Sequence, residues 1–404
     1  MTAQMLGNLA LATANREQQH AQVIAAIEEI LPPLAAAYAG PEEILDLPEH
    51  LIDALDDLGA FRLQVPERVG GLCATAETLT EAAIMISRAN PIAGWLVIVM
   101  NSATWVASLS PERVQKIIFA HGVPRMCAST NGSGTLTKRN DGSYVVNGTW
   151  HYASGSHYSS WTSFPCVGEG GVIYNVAVPM ADVRIEPTWK VAGMRGTGSD
   201  TLVAEDILVG PDQFCSMTEL WGGAQSPERQ ASAELCDRWQ LWPLMRAKLL
   251  GVLVGTAQGL LDRAVAAKDK AIMYTSHARR ADSSMFQASV GRSASKIEAA
   301  RMLIMDSIRD IDNAAAAGRT MSYAECARLR GLNAVVIDLL MPTVDDLMNQ
   351  LGSSALADAN VAQRYWRDFG SGIRHAIFHG DSHYEITGRQ ILGVEPNLVP
   401  LEMT

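Results

Sequence analysis

The chain has 404 residues, 48% of them hydrophobic, enough to bury a substantial core and to form about two or three domains. Its net charge of −11 argues against a nucleic-acid partner, because neutralising phosphates requires clustered Lys and Arg. The six cysteines (Cys73, Cys127, Cys166, Cys215, Cys236 and Cys326) lie far apart with no C-x-x-C, a scatter suited to reduced thiols rather than to a disulfide frame or a zinc site. No basic stretch leads into an apolar run at the N-terminus, and no segment is expected to reach transmembrane length, so the expectation is a soluble, cytoplasmic protein.

From about Val23 to Ala120 the pattern is helical, with Ala-, Leu- and Glu-rich runs broken at Pro32-Pro33, Gly40-Pro41 and Gly70-Gly71. HLIDALDDLGAF places Leu51, Leu55 and Leu58 on one side of a short helix stopped by Gly59. ETLTEAAIMISRAN is a second helix, ended at Asn90-Pro91. IAGWLVIVMNSATWVASL is apolar all round, hence a buried helix with Asn101, Ser102 and Thr104 as polar exceptions. Residues 1–124 are assigned to this helical domain.

Residues 125–215 change character. Short β-branched runs alternate with turn signals at Asp141-Gly142, Asn147-Gly148, 168–171 and 193–199, the spacing of a compact β-barrel or sandwich. The most informative stretch is YVVNGTWHYASGSHYSSW, Tyr144 to Trp161. Asn147-Gly148 between two β-rich runs predicts a hairpin turn. Trp150 and Tyr152 then share a face at period two, and the strand ends in the hydroxyls Ser154, Ser156, Ser159 and Ser160 around Gly155 and His157. Aromatics beside hydroxyls at a strand end suit a flat ring with polar edges, such as an isoalloxazine.

Residues 216–404 are assigned to a helical bundle. After a loop-like stretch from Pro211 to Glu234, long helical patterns run over Leu235–Ala271, Phe286–Ala317, Tyr323–Leu351 and about Asn360–His379. His375, His379 and His383 recur at helical spacing, but Gly380-Asp381-Ser382 is read as breaking the row, so no metal site is assigned. Neither a Walker-type P-loop nor G-x-G-x-x-G after a predicted strand is present, which leaves no nicotinamide domain.

A helical domain, a central β-barrel and a C-terminal four-helix bundle, an α+β arrangement, resemble the acyl-CoA dehydrogenase superfamily. CASTNGSG is similar to its first flavin-contacting loop and places Ser129 at the family's Thr. VVNGTWHYASG resembles its NGxKxxITN strand, with Tyr152 at the Trp and Ser154 at the Thr whose hydroxyl meets flavin N5. WKVAGMRGTGSDTLVAEDILV resembles the glycine-containing turn before the barrel's last strand. YTSHARRADSSMFQASVGRSASKIEAARMLI resembles the bundle segment in which an Arg, here Arg279 or Arg280, reaches a flavin phosphate across a subunit interface, implying a homotetramer.

The C-terminus departs from the dehydrogenases. RYWRDFGSGIRHAIFHG puts His375 and Ala376 where a Tyr and the proton-abstracting Glu would stand, and alanine cannot serve as a base. WRD followed by a His at this spacing resembles the flavin-dependent monooxygenase branch, which includes two-component hydroxylases, dibenzothiophene monooxygenase and amine N-oxygenases. The resemblance implies reduced FAD or FMN and O2, a C4a-(hydro)peroxyflavin, and a small aromatic, heteroaromatic or amine substrate, possibly a CoA thioester. It also implies reduced flavin from a separate NAD(P)H-dependent flavin reductase. His375 is then the acid/base group, Ser154 holds N5, and Trp150, Tyr152, Trp161 and Trp366 supply walls. Asn101 and His157 are the candidate substrate contacts. The alternative is a dehydrogenase or oxidase with a relocated base.

Overall fold

A computed structural model describes residues 3–40, 46–222, 232 and 234–397. The N-terminal part holds α1 (Ala3–Ala39), α2 (Glu49–Asp57), α3 (Ala76–Ala89), α4 (Pro91–Ser108) and α5 (Glu112–Ile118). Asn90 both ends α3 and starts α4: its side-chain oxygen accepts the Ala93 N–H at 3.2 Å, and Pro91 follows at the position where a missing N–H costs nothing. The apolar-all-round α4 is buried as expected, from Trp95 to Trp105.

Contrary to expectation, two segments reach transmembrane length. Two helices, Pro91–Ser108 and Leu241–Ala266, are long and apolar enough to cross a bilayer. In this fold 89% and 67% of their most apolar windows are buried, so protein, not lipid, covers them.

Among the described residues, eight strands form one sheet: β1 (Met126–Ala128), β2 (Asn131–Lys138), β3 (Tyr144–Ala153), β4 (Trp161–Val167), β5 (Ile173–Pro179), β6 (Arg184–Glu186), β7 (Asp200–Val209) and β8 (Phe214–Ser216). Their order is β6-β7-β3-β2-β4-β5-β8, with β1 parallel to β4. The sheet is open at β6 and β8, so the expected barrel is not closed by hydrogen bonds. Trp150 fills its core, stacked on Phe164 at 3.7 Å and donating its indole N–H to the Pro165 carbonyl at 2.9 Å.

That tryptophan explains why Asn147-Gly148 is not a turn. The hairpin from β2 to β3 turns at Asp141-Gly142, and β3 runs straight through Gly148. A Cβ on Gly148 would lie 2.5 Å from Gly134 Cα and 2.7 Å from the Trp150 ring, so the glycine makes room for the indole. Asn147 meanwhile donates to Asp206 at 3.0 Å and accepts its backbone N–H at 2.8 Å, bridging a register shift against β7. Gly148→Val is expected to destabilise the protein by roughly 2–3 kcal/mol through overpacking, a loss that chemical denaturation followed by tryptophan fluorescence would reveal.

The stretch read as a loop from Pro211 contains β8 and the short α6 (Met217–Gly222); its 223–231 and 233 positions lie outside the described residues. The C-terminal helices are α7 (Leu241–Ala266), α8 (Ser284–Ala316), α9 (Tyr323–Leu351), α10 (Val361–Gly372) and α11 (Gly380–Leu392). The expected last helix thus ends at Gly372, and Gly380 begins another helix where a stop was expected. His375 and His379 cap the turn and helix that follow them, and His383 is buried with its Nε2 against the Ile377 carbonyl at 3.0 Å.

Candidate active site

The site is built where the end of β3, the turn before β7, helix α4 and the segment after α10 converge. Beyond Ala153 the strand breaks. Tyr152 takes φ 61, unusual for a residue with a side chain, and Gly155 takes φ 85 with its N–H on the Thr197 carbonyl at 2.8 Å. Ser154 lies between these two bends. Its Oγ sits 2.7 Å from Ser199 Oγ, which sits 2.6 Å from Thr197 Oγ1, which sits 2.8 Å from the Met194 carbonyl oxygen.

Hydrogen counting fixes the direction of this chain. Two oxygens this close need a proton between them, and a carbonyl has none to give. Thr197 therefore donates to Met194, Ser199 donates to Thr197, and Ser154 donates to Ser199. Ser154 is left with lone pairs alone, one of them facing the Trp95 indole N–H at 3.4 Å. A hydroxyl so committed presents an acceptor.

Asp368 of the WRD triplet holds this turn in place. Its carboxylate accepts the Met194 N–H at 2.5 Å and the Tyr38 hydroxyl at 2.7 Å, tying α10 to the turn and to α1. A Cβ on Gly193 would lie 2.1 Å from the Arg367 carbonyl, so the turn docks backbone to backbone on α10. Met194 itself has φ 56, and its carbonyl also accepts the Trp189 indole N–H at 2.8 Å.

His375 approaches the same tryptophan, its ring centroid 5.8 Å from that of Trp95. His375 is exposed by surface area, yet desolvation by the surrounding protein lowers its pKa below the ordinary histidine value. Its Nδ1 accepts the Ile377 N–H at 3.2 Å, so the neutral ring carries its proton on Nε2. Serine acceptor, indole and neutral imidazole thus form one cluster.

The expected shared face of Trp150 and Tyr152 does not exist: the register shift between Trp150 and Ala153 buries the first in the sheet core and leaves the second 58% exposed, edge-on to Trp189 at 5.8 Å. Trp150 therefore offers no wall. Ser129 is buried beside β3, its hydroxyl donating to the His151 carbonyl. Asn101 spends its amide on the Ala60 and Val97 carbonyls (2.5 and 2.8 Å) and on the Gln64 N–H (3.0 Å), which makes it a structural brace. Trp161 packs against the helical core, and Trp366 donates to Asp345 of α9 at 2.7 Å instead of joining the cluster. Arg279 pairs with Asp282 at 3.1 Å, and Arg280 donates to the Leu351 carbonyl at 2.9 Å.

His157 is an ion-pair member. Its Nε2 lies 2.7 Å from Asp200 and its Nδ1 3.3 Å from Asp46, and hydrogen bonding to Asp46, partly opposed by burial and aided by Asp200, raises its pKa to about 9. A raised folded-state pKa contributes stability that is full below the unfolded histidine value, about 6.5, and is lost as pH rises through about 9. Thermal stability should therefore fall between those pH values, and His157→Gln should flatten that decline. A wild-type melting temperature constant across the window would contradict the pairing.

Sequence reasoning missed Trp95, Thr197, Ser199 and Asp368 as site members. Thr197 and Ser199 lay in a glycine-rich turn already marked out, and the hydroxyls within GTGSD were the available signal. Trp95 carried none, since an indole in an apolar helix reads as core.

The chain carries an acyl-CoA dehydrogenase-like fold and is similar to flavin-dependent monooxygenase oxygenase subunits. The family model for the acyl-CoA dehydrogenase C-terminal domain matches residues 249–379. The chain is 27% identical over 390 residues to the flavin-dependent monooxygenase oxygenase subunit HsaA of Mycobacterium tuberculosis, covering 94% of this chain and 98% of that one. It is 26% identical to the FADH2-dependent resorcinol hydroxylase oxygenase component of a Rhizobium species, covering 88% and 90%. Among solved structures, XiaF from a Streptomyces species in complex with FADH2 and glycerol superposes with a TM-score of 0.88 at 26% identity, covering 96% and 99%.

Proposed function

We propose that this chain is the oxygenase component of a two-component monooxygenase that hydroxylates a small aromatic or heteroaromatic compound. The observation that carries the reading is the directed hydroxyl chain ending in Ser154 beside Trp95 and His375. An oxygen acceptor fits N5–H of a reduced isoalloxazine, whereas the unprotonated N5 of oxidised flavin would need a donor. Bound reduced flavin supplies two electrons to dioxygen, one oxygen atom of which passes to the substrate while the other leaves as water.

The chain's own residues hold and shield. Ser154 accepts at N5–H, and Trp95, Tyr152 and Trp189 furnish apolar walls that keep water from the ring. His375, neutral with its proton on Nε2, gives or takes a proton at the substrate. Because burial lowers its pKa, the neutral form persists below the ordinary histidine value, and the acid limb of coupled turnover should fall below about pH 6.5. A limb above that value would assign the proton step elsewhere. The described partners of Ser154, Trp95 and His375 are hydroxyls, an indole, rings and backbone, with no carboxylate to abstract an α-proton. That disfavours the dehydrogenase alternative.

Aromatic substrates are favoured by the aromatic walls and by relatives named for resorcinol and indole-3-acetate. We further read the chain as three parts with borders near 124 and 215, the sheet serving as the family's barrel. The same reading makes it a cytoplasmic homotetramer in which Arg279 or Arg280 reaches a neighbour's flavin, and a separate NAD(P)H-dependent reductase supplies reduced flavin. Purified protein mixed with such a reductase, FAD or FMN, and a panel of phenols and indoles tests the proposal. Hydroxylated product that requires this chain supports it, and NAD(P)H consumption yielding only hydrogen peroxide across the panel would count against it.

A further inference from the structure

Cys73 and Cys236 stand 163 positions apart in sequence, yet their Sγ atoms are 2.9 Å apart. Cys73 ends the loop that leads into α3, and Cys236 lies in the turn that leads into α7. Both are held by a rigid frame: the Cys236 carbonyl accepts the Trp105 indole N–H at 2.9 Å, and Arg68 grips Asp237 at 2.5 Å and Glu234 at 3.2 Å. Cys73 has φ 41, a left-handed conformation that a side chain disfavours and that is kept here although it brings the sulfurs together.

We propose that Cys73 and Cys236 are an oxidisable dithiol, which hydrogen peroxide converts to a disulfide bracing the N-terminal helical part against the start of the bundle. The two sulfurs have unequal roles. Cys73 is partly exposed, and the backbone N–H of Cys236 points at its Sγ at 3.5 Å, which favours the thiolate there. The Cys236 S–H is the strongest influence lowering the Cys73 pKa, opposed by burial, while burial foremost pushes Cys236 up. The Cys73 thiolate attacks one oxygen of hydrogen peroxide, the O–O bond breaks, and hydroxide leaves, giving a sulfenic acid at Cys73. The Cys236 sulfur then attacks Cys73, losing its proton as the sulfenic oxygen departs as water. The two thiols lose two electrons and the peroxide gains them. Closing from 2.9 Å to a bond of about 2.05 Å asks for less than an ångström of movement. Cys127, Cys166, Cys215 and Cys326 are buried, with burial raising each thiol's pKa, so oxidation is directed to the pair.

Glu234 brings a carboxylate within 4.8 Å of both sulfurs, so a divalent metal is the competing occupant. The dithiol is favoured because the Glu234 oxygens already accept from Arg68 and from the backbone N–H groups of Glu67 and Arg68, and a structural zinc needs four ligands where this cluster offers three.

The test is thiol counting on the full-length purified chain, with non-reducing peptide mapping, before and after hydrogen peroxide. Six titratable thiols should fall to four, with one Cys73–Cys236 cross-linked peptide lighter by two hydrogens, restored by dithiothreitol. Cys73→Ser should abolish the loss, whereas Cys236→Ser should leave a sulfenic acid at Cys73 that dimedone traps. Persistence of all six thiols, oxidation spread over the other cysteines, or one zinc per chain masking the pair would each overturn the proposal.

Discussion

Replacing His375 with Asn is expected to reduce coupled product formation by about 10²–10⁴-fold, the usual worth of one positioned acid or base. Asn preserves size and can still accept the Ile377 N–H that Nδ1 now accepts at 3.2 Å, so the turn over residues 376–378 should survive. What disappears is titration. Reduced flavin should still bind and still consume oxygen, and the missing product should return as hydrogen peroxide. Product and peroxide measured together against oxygen uptake give the answer. Near-normal coupling would remove His375 from the proton step, and loss of flavin would make it a structural residue instead.

The second large effect belongs to the hydroxyl chain. Ser154→Ala deletes the acceptor, and one net hydrogen bond corresponds to roughly 3–10-fold in affinity. Affinity for reduced flavin should fall by that factor, and the fraction of oxygen released as peroxide should rise. Ser199→Ala separates direction from presence. Without Ser199, which now takes its proton at 2.7 Å, Ser154 can turn and donate. Oxidised flavin should then bind more tightly while reduced flavin loses its advantage, narrowing the reduced-to-oxidised preference by about 10-fold. Anaerobic and aerobic fluorescence titrations measure both constants. An unchanged ratio in Ser199→Ala would show that Ser154 is not held as an acceptor.

Much of this architecture was legible because helical periodicity and capping are local. The Ser322–Glu325 capping box starts α9 where the pattern places it, and Asn90-Pro91 divides two helices as written. The β region was less legible, because Asn-Gly has two uses. Asn147-Gly148 carries the composition of a hairpin turn, yet its glycine is set by the Trp150 ring across the sheet, a contact no local window contains. The same long-range packing separated Trp150 from Tyr152.

The site followed the same rule. Ser154 and His375 were found as motif positions, and both lie near Trp95. Trp95, Ser199 and Asp368 act through distances spanning α4, the turn before β7 and α10, which spacing alone does not encode. His157 and Asn101 have the right chemistry for substrate contact but spend it on Asp46 and Asp200, and on backbone. Residue type signals capability, and only the partners decide how it is used.

In the proposed reaction, oxygen from dioxygen enters an aromatic substrate at the Ser154–Trp95–His375 cluster. The most direct test is a single turnover: protein loaded anaerobically with reduced flavin, mixed with isotopically labelled dioxygen and a phenol or indole substrate, with the product analysed by mass spectrometry. One labelled oxygen atom is expected in the product. Product oxidised without label, or desaturated with the label recovered solely as peroxide, would contradict it and point to dehydrogenase or oxidase chemistry.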